Sequence, residues 1–217
     1  MNEEISKNIL KSNTSIVGIV CKDGVVMGAD RRVTAGNIIM SKNEKKLETI
    51  NDYLAVSWTG GAADARVSKK IIAAELKLKE LKTKSRPSIK ESANLIGMMF
   101  YRNIRAPSML PHIVGALVAG FDEDGETSLY TIEPAGGVIK VEDYDANFSS
   151  GMPYILGLLE RQWKKDLTVK EGIELAKECL KSSTQRDTAS GNGIDVFSIT
   201  KDGIKQVVSE EILSQYK

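Results

Sequence analysis

Residues Asn13–Arg32 read N-T-S-I-V-G-I-V-C-K-D-G-V-V-M-G-A-D-R-R. The segment from Thr14 to Cys21 is rich in β-branched residues, Lys22-Asp23-Gly24 is a turn signal, and Val25 to Ala29 returns. Two strands joined by so tight a turn pair antiparallel. Their near-continuous apolar character points to burial on both faces. Thr14 heads the first strand and Asp30 closes the second.

Downstream, short strands are expected over residues 37–41, 45–50 and 53–59, the last stopped by Gly60-Gly61. A helix follows over 62–82, with Val67, Ile71, Ala74, Leu78 and Leu81 at helical spacing as its apolar face and lysines and glutamates opposite. Pro87 opens a second helix to about residue 105, carrying Ile89, Ala93, Ile96 and Phe100 on one side. Strands over 112–121, 128–133 and 138–141, helices over 150–163 and 169–183, and strands over 193–199 and 204–208 complete the order. Strands joined by tight turns and helices arriving in pairs predict an α+β fold. It is a four-layer αββα sandwich of two antiparallel sheets flanked by helix pairs. No repeat or linker divides it, so residues 14–217 read as one domain and 1–13 as a polar extension.

With 41% hydrophobic and 27% charged residues, the composition is that of an ordinary globular chain. A net charge of +1 gives no reason to expect nucleic acid or an anionic membrane surface as partner. No apolar run is long enough to span a bilayer, and the N-terminus lacks a secretory apolar segment, so a cytoplasmic setting is expected. Cys21 and Cys179 read as reduced core thiols, and His112, the single histidine, as structural. No metal motif or nucleotide-binding loop is visible, and no cofactor is expected.

Taken one at a time, the polar residues of interest are unremarkable. Thr14 is a good strand former, Lys46 in K-N-E-K-K-L-E resembles a solvated face, and Asp30 before two arginines resembles a surface ion pair. Taken in order, they carry more. The stretch from Thr14 to Thr34, then S-K-N-E-K-K-L, T-G-G-A-A-D-A and Q-R-D-T-A-S-G-N-G-I-D-V, resembles the β subunits of the 20S proteasome, archaeal ones in particular. That family belongs to the N-terminal-nucleophile hydrolases, whose αββα fold agrees with the order above.

The resemblance implies roles. Thr14 matches the catalytic threonine, Asp30 and Lys46 the acid and lysine beside it, and Gly60 the glycine whose N–H serves the oxyanion. Ser150, Asp187 and Ser190 match the supporting polar residues near the threonine amine. Thr34 and Ala62, with Val33 beside them, match positions that align a substrate peptide as an added strand. Glu44 and Trp58 match positions lining the pocket for the residue before the cut bond. The implied activity is threonine-type endopeptidase action on unfolded polypeptides, after a propeptide is removed autocatalytically between Asn13 and Thr14. The implied partners are α subunits and other β subunits in stacked heptameric rings and, indirectly, an unfoldase ATPase.

The chemistry is self-consistent. A threonine hydroxyl needs a base, and without a catalytic histidine the α-amine of a cleaved chain can serve. Its reference pKa of about 7.7–8.0 leaves part of it neutral near pH 7. Four residues depart from the usual pattern. Asn13 replaces a glycine before the threonine, Ile16 a threonine, and Ser149 a glycine, while Trp58 is bulky enough to fill the pocket. Asn13 and Trp58 also admit a second reading, a non-catalytic, unprocessed structural β subunit of the same particle.

Overall fold

The computed structural model describes residues 14–212. The extension expected over 1–13, with Asn13 and the bond after it, lies outside the described residues. The opening hairpin is β1 (Ile16–Cys21) and β2 (Gly24–Asp30), antiparallel with Ile16 opposite Ala29 and Cys21 opposite Gly24. Thr14 and Ser15 stand just before the strand instead of within it.

In chain order there follow β3 (Val33–Ala35), β4 (Ile38–Ser41), β5 (Leu47–Asn51), β6 (Leu54–Gly60), α1 (Ala62–Thr83) and α2 (Ile89–Arg105). Then come β7 (Val114–Phe121), β8 (Thr127–Ile132), β9 (Val138–Val141), β10 (Tyr144–Asp145), α3 (Met152–Gln162) and α4 (Val169–Thr184). The last two strands are β11 (Gly193–Thr200) and β12 (Gly203–Glu211). One five-stranded sheet runs β10-β1-β2-β11-β12, a second runs β5-β6-β7-β8-β9, and β3-β4 form a separate two-stranded ribbon. All the strand pairs among the described residues are antiparallel.

Three cores separate four layers. Ile16, Met27, Ala29, Leu117, Leu129 and Ile199 pack between the two sheets. Val17, Ile19, Val26 and Val196 pack on the other face of the first sheet, against Ile155, Leu159, Cys179 and Leu180 of α3 and α4. Val56, Trp58, Val118 and Ile132 of the second sheet meet Ile72, Leu76, Ile96 and Phe100 of α1 and α2. Neighbouring residues of β1 and β2 therefore enter different cores, which is why these strands read as apolar throughout. The αββα sandwich expected from the element order is the fold observed.

Both cysteines are buried and unpaired, and burial pushes each thiol up to about 12. His112 is structural, its Nε2 3.1 Å from Ser68 Oγ and its ring tilted on Phe100. Among the described residues no helix is long and apolar enough to cross a membrane.

The apolar face of α1 is not the one expected. Val67, Ile71, Leu78 and Leu81 are 57, 45, 43 and 65% exposed, while Ala65, Ser68, Ile72 and Leu76 are buried. The helix carries two apolar stripes, so periodicity cannot choose between them. Small residues decide it: Ala65 packs in the core that holds Trp58, and Ser68 bonds His112, so the first turns of α1 approach closely. The short strands β3 and β10 were not expected; three and two residues long, they carry too little pattern to be read.

In denaturant unfolding of the full chain, Ile72→Ala is expected to cost about 2–5 kcal/mol as a buried truncation, and Leu78→Ala under about 0.5 kcal/mol. The reverse order would place the wrong face of α1 in the core.

Candidate active site

Asp30 ends β2 and is fully buried. Its Oδ1 accepts Lys46 Nζ at 2.7 Å and Ser15 N at 2.9 Å, and its Oδ2 accepts Arg32 N and Gly191 N, both at 2.9 Å. A desolvated carboxylate persists only when so satisfied. Lys46 directly precedes β5 and is 6% exposed, so neither residue belongs to a solvated surface. Burial pushes the Lys46 ammonium below the ordinary lysine range, and the Asp30 charge and hydrogen bond work against that shift.

Thr14 meets a second polar group on its main chain. Its N–H donates to Ser150 Oγ at 3.0 Å, and Gly151 N donates to its carbonyl at 3.2 Å. Ser150 Oγ and Ser190 Oγ both reach Asp187 Oδ2, at 2.6 and 2.5 Å. A carboxylate only accepts, so both hydroxyls donate to it; for Ser150 this shorter, charge-assisted bond outweighs donation to the Thr14 carbonyl at 3.0 Å. Ser150 Oγ is then left as the acceptor of Thr14 N–H. Ser190 Oγ accepts in turn from Ser15 Oγ at 2.7 Å, which accepts from Ser183 Oγ. Asp187 thereby sets the direction of a buried file of hydroxyls.

Thr14, Lys46 and Gly60 share a cavity of about 430 Å³. Val33, Thr34, Glu44, Trp58 and Ala62 line it too. Strand β3 with Gly36 forms one wall and the junction of β6 with α1 the other. Gly60 has φ +93°, and a Cβ there would stand 2.1 Å from the Ile113 carbonyl oxygen, so this wall admits only glycine. Trp58 does not fill the pocket as expected: it is 5% exposed, packed into the core beneath α1, and forms a wall with the cavity open beside it.

All twelve site residues expected inside the described range thus gather at one place: eight line the cavity, and Asp30, Ser150, Asp187 and Ser190 join them through hydrogen bonds. Asn13 lies outside the described residues. Ser149, expected to add bulk, is buried with its Oγ lacking a protein partner. Sequence reasoning missed Arg66, whose guanidinium grips Glu44 through two bonds of 2.8 and 2.7 Å at the cavity. It also missed Ser15 and Ser183. Arg66 follows Ala62 by one helical turn, a signal that was available; the serine contacts span more than 160 residues and left none.

A family profile described as "Proteasome subunit" matches residues 10–199. The chain is 38% identical over 209 residues to a protein named proteasome subunit beta from Archaeoglobus profundus, covering 96% of this chain and 94% of that one. It is 36% identical to proteins of the same name from Methanococcus maripaludis, covering 97% and 94%, and from Nanoarchaeum equitans, covering 91% and 98%. Together with the αββα fold, these likenesses make the chain a member of the proteasome family, of the archaeal β-subunit type.

Proposed function

We propose that this chain is a working threonine endopeptidase subunit of a proteasome core particle. The observation that carries the reading is the placement of Thr14, with its nitrogen on Ser150–Asp187 and the cavity it lines shared with Lys46, which is paired with Asp30. In maturation, the Thr14 hydroxyl attacks the Asn13 carbonyl and the acyl group passes from nitrogen to oxygen. Water then hydrolyses the ester, leaving an Asn13 carboxylate and a free Thr14 amine. That amine, donating one N–H to Ser150, directs its lone pair at its own hydroxyl and acts as the base in peptide hydrolysis. The Lys46 charge disfavours protonation of the amine. Gly60 N–H meets the oxyanion, and a donor of this kind is worth about 3–4 kcal/mol. An extended peptide lies between the β3 edge and Ala62 as an added strand, with Val33 and Thr34 on one side and the side chain before the cut bond entering beside Trp58 and Glu44.

The setting proposed is a heptameric β ring stacked with α rings in the cytoplasm, degrading polypeptides unfolded by a partner ATPase. The exposed apolar residues of the isolated chain, among them Leu81 at 65% and Met109 at 90%, are surface that assembly would cover. The second reading, a structural and unprocessed subunit, keeps Asn13 as its support. The open cavity beside Trp58 weakens its other argument.

Intact-mass analysis of the purified particle should find a chain beginning at Thr14, and an electrophile selective for N-terminal threonine should label it. A chain still beginning at Met1, with no labelling, would establish the structural reading. A Thr14→Ala variant should lose cleavage by at least about 10³-fold, as loss of a nucleophile does.

Because Lys46 is held below the ordinary lysine range, it loses its proton at lower pH than an exposed lysine. Below that pKa the charge is present and the amine stays poised; above it the charge and the ion pair are lost. The alkaline fall in kcat/KM should therefore begin below the ordinary lysine range. Lys46→Arg, always charged, should remove that limb while lowering the neutral-pH rate about 10²-fold.

Arg66 neutralises Glu44 at the pocket, so Arg66→Ala should favour lysine over leucine before the cut bond. The expected change is about fivefold in relative kcat/KM, the factor set by roughly 1 kcal/mol for a partly exposed pair. An unchanged ratio in paired fluorogenic substrates would remove Glu44 from the selectivity.

A further inference from the structure

We propose that Asn147 is a positioning residue that locks the Ser150 loop to the strand leading into Gly60. The proposal rests on the peptidase reading above. Asn147 lies between β10 and α3, is 3% exposed, and has φ +48°, a left-handed conformation that asparagine tolerates. Its Oδ1 accepts from Thr59 Oγ1 at 3.2 Å. Its Nδ2 donates to Thr131 Oγ1 at 2.8 Å and to the Ala116 and Ile132 carbonyls, each at 3.2 Å. One buried carboxamide thus reaches β6, β7 and β8 of the second sheet from a loop that leaves the first.

Both ends of this tie abut the site. Three residues beyond Asn147, Ser150 receives Thr14 N–H, and Gly151 N holds the Thr14 carbonyl. One residue beyond Thr59, Gly60 walls the cavity. Gly115 pairs with Thr59 across β6 and β7 and makes the room: a Cβ there would stand 2.3 Å from Asn147 Oδ1 and 2.8 Å from Thr59 Oγ1. The distance between the proton-handling side of Thr14 and the oxyanion wall is therefore set by a side chain that touches neither substrate nor nucleophile.

The test uses the assembled particle. Asn147→Gly keeps the left-handed backbone without strain and removes only the carboxamide. Peptide hydrolysis should lose about 10- to 100-fold in kcat with KM within about twofold, the signature of misplaced groups. Gly115→Ala should reproduce the loss by displacing the carboxamide. In the double variant the new methyl group enters the vacated space, so thermal stability should exceed the sum of the single effects. Wild-type kcat in Asn147→Gly, a loss confined to KM, or an additive double variant would each overturn the proposal. Hydrogen exchange decides it even where nothing is hydrolysed. The Gly151 amide should exchange faster in Asn147→Gly while the amides of β1 keep their protection, and an unchanged Gly151 rate overturns the proposal. A wild-type particle that neither labels nor cleaves would count against the peptidase reading alone.

Discussion

The architecture hangs on a carboxylate that water never reaches. Asp30 is fully buried and holds four donors, contributed by the segment before β1, the segment after β2, the residue preceding β5 and the loop preceding β11. Burying an ion costs several kcal/mol, and removing one partner of a buried pair typically costs about 3–5 kcal/mol. The same four bonds that offset this cost fix where four chain segments converge. Thr14 is the product of that convergence, since Ser15, its neighbour, is one of the four. Lys46 is brought in from the second sheet, so the ion pair also joins the two layers.

A second anchor works by hydroxyls instead of ammonium. Asp187 accepts hydrogen bonds from Ser150 and Ser190 on a single oxygen and so orients every hydroxyl behind them. Thr14 adjoins both anchors: its own nitrogen bonds Ser150, and that of its neighbour Ser15 bonds Asp30. Neither depends on histidine, and the single histidine of the chain is engaged elsewhere, on Ser68 and Phe100.

Much of the fold was legible because local rules agreed. β-branched runs, Asp-Gly turns and paired helices each pointed to stacked antiparallel sheets, and Ile89, Ala93, Ile96 and Phe100 all reached the core as their spacing implied. Where a segment satisfied a rule twice, as α1 does with its two apolar stripes, the pattern could not rank the alternatives. The site was legible in another way. Asp30 and Lys46 look like surface residues in isolation, and only their order along the chain with Thr14, Gly60 and the later serines suggested burial together. Contacts that depend on distant partners, such as Ser15 with Ser183 or Asn147 with Thr59 and Thr131, had no local signature.

Gly60 gives the cavity an uneven capacity for change. Its positive φ and the adjacent Ile113 carbonyl leave no room for a Cβ, so that wall is built from main chain. Glu44 and Arg66, by contrast, line the cavity with side chains outside the core, and surface substitutions of that kind usually cost little. On the peptidase reading proposed above, mutation can therefore revise which side chains the pocket accepts while the Gly60 wall stays constant. The same cavity is thus open to diversification on its side-chain rim and closed to it where main chain meets main chain.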